Sequence, residues 1–212
     1  MKRSTRLAVA AASLLLLMVY LLPLWRINLI APQYPEGLGL RIWVDRVTGI
    51  KAGDLNSING LNHYIGMRAI EPDAIPELRV MPPLVAVAVA VGLLVAVIGR
   101  RVPLYLFSAG AVVLASVGLW DFYRWGWDYG HHLDPHAAIK VPGMSYEPPL
   151  IGSKQLLNFH ATSWPDLGGW IAIVAVAVFV AAAVVEWRRA ARRQAVSTPA
   201  APLSIELSRN AR

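Results

Sequence analysis

Cysteine is absent from all 212 residues. A c-type haem, which needs a C-x-x-C-H attachment sequence, is therefore excluded. Charge is scarce as well: Asp, Glu, Lys and Arg make up 16% of the chain, against 56% hydrophobic residues. No G-x-S-x-G, H-E-x-x-H or phosphate-binding loop occurs, so the common hydrolase, zinc-protease and nucleotidase signatures are missing. No internal repeat is visible beyond the likeness of the apolar runs to one another.

Those runs are what the chain has instead. They occupy 7–25, 82–99, 102–120 and 168–187, each about 18 to 20 residues, the length that crosses a roughly 30 Å hydrocarbon core at 1.5 Å per residue. None carries a charge before its last one or two positions. Such a run lies in lipid only as a helix that satisfies its own backbone hydrogen bonds. As buried helices of a soluble protein, four of them would leave too little polar chain to cover them. The fold class expected is thus an α-helical integral membrane protein with four transmembrane helices. The first run follows a basic stretch, as a signal peptide would. However, it is long, it ends in Trp25 and Arg26, and no small-x-small cleavage site follows it at the usual distance, so an uncleaved anchor is the better reading.

The charges set an orientation. Lys2, Arg3, Arg6, Arg100, Arg101, Arg188, Arg189, Arg192, Arg193, Arg209 and Arg212 fall on one side, against only Glu186 and Glu206. By the positive-inside rule that side is cytoplasmic, both termini with it, in a bacterial inner membrane. The formal net charge of +7 is then a property of the cytoplasmic rim and calls for no nucleic acid. Contact of the basic tail, 188–212, with anionic lipid is the ordinary fate of such a flank. Trp25, Trp120, Trp164, Trp170 and Trp187 sit near helix ends, where indole rings prefer the headgroup level.

Two segments, 26–81 and 121–167, remain for the periplasmic side, together enough for one small mixed α/β domain but not two. In the first, 27–31 looks extended, and 38–44 (LGLRIWV) reads as a strand. A short helix is expected over 61–67, with Asp54 or Asn56 as a plausible N-cap and an end near Gly66. The second segment opens on aromatics at 121–129, becomes Pro-rich, and has a helix or strand over 151–160. A small-residue linker, 195–202, reads as disordered.

All five histidines lie in these two segments. An oxidising compartment discourages free thiols, so a copper site there would be built from His and Met. His63 and Met67 are four apart and would share a helix face. His131, His132 and His136 lie within six residues, although Pro135 makes a regular helix across them unfavourable. Asp128 and Asp134 are near enough to orient imidazoles. Polar residues must fall outside lipid in any case, so surface or structural histidines account for the same placement. The four runs hold no internal ionisable relay, which argues against a pump or transporter acting alone. Small residues in the second and fourth runs suit close helix packing or docking to a partner.

The loop motifs YPEGL (34–38), INGLNHYIGM (58–67), EPDAIPEL (71–78) and YEPPLIGSKQLLNF (146–159) resemble a family of small four-helix membrane proteins. That family is associated with bacterial nitrous oxide reductase gene clusters, beside the copper chaperone NosL and the NosDFY transporter. The resemblance covers about half the chain and implies an accessory role in maturation of, or electron supply to, a periplasmic copper enzyme. It carries over no catalytic residue. The expected function is therefore a non-enzymatic membrane-anchored accessory protein, with copper as the implied metal and His63, Met67, His131, His132 and His136 as candidate ligands. The alternative is a metal-free structural subunit whose aromatic and Pro-rich loops dock membrane or periplasmic partners. A third option is an integral-membrane enzyme using a His/Asp site around Asp128 to His136.

Overall fold

The computed structural model describes residues 1–197, with side chains to Gln194; the rest of the proposed linker and Glu206, Arg209 and Arg212 lie outside them. Helix α1 (Arg3–Leu15) runs into a 3-10 stretch (Leu16–Tyr20). Strands β1 (Trp25–Ala31), β2 (Tyr34–Ile42) and β3 (Val47–Gly49) follow, then α2 (Asp54–Ile65). A 3-10 turn at Pro72–Ala74 leads into α3 (Glu77–Ile98), and α4 is Arg101–His131. Strands β4 (Gly152–Leu156) and β5 (Phe159–Pro165) precede α5 (Leu167–Ser197).

Four helices, over Arg3–Tyr20, Glu77–Ile98, Arg101–His131 and Leu167–Gln194, are long and apolar enough to cross a membrane. Their outward faces suit hydrocarbon better than water: Val97 and Leu106 are each 70% exposed. Inside, Val9, Leu104, Ala175 and Phe179 form the buried seam. The Phe107 and Phe179 rings meet edge-on at 4.8 Å, and Ser108 donates to the Phe179 carbonyl at 2.9 Å. Gly92 lets α1 and α3 approach, since a Cβ there would collide with Ser13.

The strands form one antiparallel sheet of order β3-β2-β1-β5-β4. The two segments outside the apolar helices thus share a single sheet, joined where Trp25 to Ile30 pairs with Pro165 to His160. One face of it buries Ile27, Leu38, Leu40 and Val47 against Ile58 of α2. The Gly168-Gly169 pair allows α5 to start tight against the chain entering β1: the Gly168 N–H donates to the Pro23 carbonyl at 2.9 Å, and a Cβ at Gly168 would sit 2.6 Å from the Leu22 oxygen.

Several boundaries differ from those the sequence suggests. The third apolar run does not stop at 120; α4 continues to His131, about 46 Å in all at 1.5 Å per residue. Hydropathy falls at Asp121 but helical periodicity does not, and Phe122, Trp125 and Tyr129 pack against the sheet core as one stripe. The first run ends as a helix at Tyr20, so Trp25 opens β1 instead of sitting at a helix end. Its indole donates to Ser163 Oγ at 2.8 Å and its ring meets Phe122 at 5.2 Å. Helix α3 begins at Glu77, with Pro82 and Pro83 inside it; the Tyr20 hydroxyl donates to the Pro82 carbonyl at 2.6 Å.

Helix α2 begins seven residues before the expected 61, behind Gly53 in the left-handed region at φ +88°. Asp54 does not cap it. Its buried carboxylate accepts the backbone N–H of Gly39 at 3.1 Å and of Lys51 at 3.0 Å, tying α2 to β2. The 151–160 stretch is a strand hairpin rather than a helix.

Candidate metal-binding cleft

The INGLNHYIGM stretch divides into residues with structural work and residues without it. The Asn59 side chain holds both polar groups of Ile70, accepting its N–H at 2.8 Å and donating to its carbonyl at 3.1 Å. Asn62 donates to the Arg68 carbonyl at 3.3 Å. Gly66 ends α2 at φ +82°, a conformation that favours glycine. The Met67 N–H then closes back on the Asn62 carbonyl at 2.8 Å. These bonds fold 66–70 against α2. Among the described residues the side chains of His63 and Met67 make no hydrogen bond, and both border a cleft.

The opposite wall comes from the chain leaving α4. The Asp134 N–H donates to the Gly66 carbonyl at 2.8 Å and the Ile139 N–H to the Tyr64 carbonyl at 2.9 Å. Between the walls lies an open cleft of about 550 Å³, bordered by His63, Met67, Arg68, His132 and Asp134. Residues more than sixty positions apart in sequence meet here.

His132 is the best-positioned imidazole. Its Nδ1 lies 2.6 Å from Asp128 Oδ1, so Nδ1 carries the proton as donor and Nε2 is left as the free nitrogen. Asp128 also pairs through its other oxygen with Arg68, whose guanidinium covers the Tyr129 ring at 4.8 Å. A carboxylate behind a histidine in this way fixes the orientation of the ring. The i, i+4 spacing of Asp128 and His132 was the signal legible in sequence. Arg68, which completes the arrangement, carried none beyond adjacency to Met67.

The other two candidates are not among the residues that border the cleft. His131 stacks on Trp127 at 4.5 Å and 17°, with Nδ1 2.9 Å from the Trp127 carbonyl oxygen and 3.5 Å from Glu147. Neighbouring positions on a helix differ by about 100°, which separates His131 from His132. The side chain of His136 is 90% exposed, with Nδ1 3.3 Å from Asp134 Oδ1. The His136 N–H donates to the same carboxylate at 2.8 Å and holds it below the usual Asp value. His160 lies on β5, opposite Ile30 and Gln155. Among the described residues, no three His, Cys, Asp or Glu side chains form a group that could hold a metal ion; a set completed by a Met thioether is of another kind.

Gly66 holds the two walls of the cleft in close approach. A Cβ there would meet the Ala137 side chain and the Asp134 nitrogen at 2.9 Å, on a backbone that disfavours L side chains. Gly66→Ala is expected to cost about 1–3 kcal/mol in strain and overpacking and to lift 132–139 off α2. Hydrogen exchange should speed up at Asp134 and Ile139 while the sheet amides keep their protection. Unchanged exchange at both would show that the wall does not depend on this contact.

Comparison with protein-family models and with curated proteins finds no match to the chain.

Proposed function

We propose that this is a membrane-anchored copper-handling accessory protein, serving maturation of or electron supply to a periplasmic copper enzyme such as nitrous oxide reductase. Both termini lie in the cytoplasm of a bacterial inner membrane, and the sheet domain faces the periplasm. The charge asymmetry supports that orientation, since the arginine-rich helix ends lie opposite the sheet. The protein binds and presents; it is not an enzyme.

The observation that carries the reading is the meeting of His63, Met67 and His132 at one cleft, with Asp128 behind His132. Two imidazoles and a thioether are borderline and soft donors, a set that fits copper, Cu(I) above all, better than Mg²⁺ or Ca²⁺. His63, Met67 and His132 would hold the ion as cargo. The open side of the cleft would leave it accessible to a receiving protein. His131 and His136 take no part.

Competition between the purified protein and a Cu(I) chelator tests this. Removing ligands should cost more than removing an outer partner, for which roughly 10- to 100-fold is usual. His63→Ala with Met67→Ala, or His132→Ala alone, is therefore expected to weaken Cu(I) binding at least about 100-fold. Asp128→Asn should weaken it about 10-fold, and His131→Ala or His136→Ala should leave it unchanged. Equal affinity across all five variants would remove the copper reading.

A second reading rests on a different observation. Tyr64, Ile139 and Val141 are 57%, 47% and 41% exposed in the two backbone stretches that bound the cleft. Solvent-facing apolar side chains there suit a metal-free scaffold that docks a protein partner. Wild-type protein that binds no Cu(I) yet retains a membrane partner on gentle purification would favour it.

A further inference from the structure

The end of the bundle away from the sheet is organised by one acid. Glu186 is 1% exposed. It accepts the Lys2 N–H at 3.0 Å, the Thr5 hydroxyl at 2.8 Å, Arg189 Nη1 at 3.0 Å and Arg101 Nε at 3.3 Å. These bonds draw together the start of α1, the start of α4 and the last third of α5. Arg6 secures the fourth element, donating to the Ala96 and Val97 carbonyls of α3, each at 2.7 Å. Three arginines are therefore consumed in holding the helices.

Five more are not. Arg3, Arg100, Arg188, Arg192 and Arg193 are exposed and make no hydrogen bond or ion pair among the described residues. Glu186 is the only acid among the described residues of this end, and at 1% exposure it is closed off from them. A guanidinium is a fixed cation whose planar fork matches phosphate oxygens two at a time. An unneutralised group of five is thus a surface for phosphate-bearing anions.

What lies beside the arginines identifies the anion. Val97, Ile98 and Val102 flank Arg100 and are 70%, 46% and 65% exposed, and Trp187, next to Arg188, is 62% exposed. Cations bordering bare aliphatic surface, with an indole at the boundary, match a molecule with a phosphate above a hydrocarbon chain. A soluble polyanion would leave the aliphatic band unsatisfied. We propose that this end of the bundle binds anionic phospholipid headgroups, with Arg3, Arg100, Arg188, Arg192 and Arg193 contacting phosphate and Glu186 holding in place the helix ends that carry them.

The test uses the full chain in phosphatidylcholine bilayers, with spin-labelled phosphatidylglycerol or spin-labelled phosphatidylcholine as the probe of lipid at the protein surface. A basic residue near an anionic surface is worth about fivefold. Phosphatidylglycerol is expected to be preferred at least about fivefold, and the preference should shrink in 0.5 M salt, roughly where screening becomes strong. Arg188→Gln, Arg192→Gln and Arg193→Gln together should bring it close to one, as should Arg3→Gln with Arg100→Gln to a lesser degree. Among the described residues these side chains support no other group, so a normal circular dichroism spectrum is expected for both variants. Equal association of the two probes with wild-type protein, or a full preference in both variants, would overturn the proposal. Loss of the preference on adding millimolar inorganic phosphate would also overturn it, in favour of a free-phosphate site.

Discussion

Glu186→Ala is expected to lower the thermal midpoint of the detergent-solubilised protein by about 5–15 °C. The side chain is buried and accepts four hydrogen bonds from three separate helices. Removing one member of a buried ion pair costs about 3–5 kcal/mol, because the partner charge is left without compensation. Arg101 and Arg189 are 32% and 33% exposed, so water recovers part of that loss, and about 2–4 kcal/mol is the better figure. At about 2–4 °C per kcal/mol for a chain of this size, the shift follows. Glu186→Gln keeps two acceptor sites on its oxygen but loses the charge, and should fall between alanine and wild type. Tryptophan fluorescence during heating measures both. An unchanged midpoint for Glu186→Ala would mean that the helix ends are held by apolar packing alone.

Neither segment of the sheet domain is expected to fold without the other. Residues 26–81 and 121–167, prepared separately, should each lack dispersed amide resonances and be cut rapidly by protease. Strand β1 lies in the centre of the sheet, between β2 and β5, so separation turns it into an unpaired edge. The same cut removes Leu156, Ala161 and Ser163, all buried, from one product. It also takes the Phe122, Trp125 and Tyr129 stripe away from the sheet core. What remains to each piece is too little apolar burial to offset the entropy of ordering about fifty residues. A dispersed spectrum from either piece alone would show that the joint sheet is not required.

Four helices able to cross a membrane were legible in the sequence because the requirement is local. Length, hydropathy and freedom from charge are properties of a contiguous run, and hydrocarbon thickness reads them directly. The arginine asymmetry was legible for the same reason. So were the turn at Gly66 and the extended stretch 27–31, whose signals sit within a few residues of the structure they cause.

Tertiary structure decided what depends on distant partners. Hydropathy ends the third run at Trp120, but the helix continues because Phe122, Trp125 and Tyr129 have a sheet to cover. Asp54 has the sequence position of a helix cap, yet the nearness of Gly39 and Lys51 makes it a bridge between elements. Spacing alone grouped His131, His132 and His136. One step of helical rotation and the exit of the chain from α4 separate them, and the fold instead places His132 on the border of the same cleft as His63 and Met67, across about 65 residues of sequence. No local pattern encodes that meeting, because it depends on Asp134 and Ile139 bonding to the carbonyls of Gly66 and Tyr64, groups that every residue carries. Burial of Glu186 has the same origin: a terminal charge in an apolar run reads as a headgroup residue until the starts of α1 and α4 close over it.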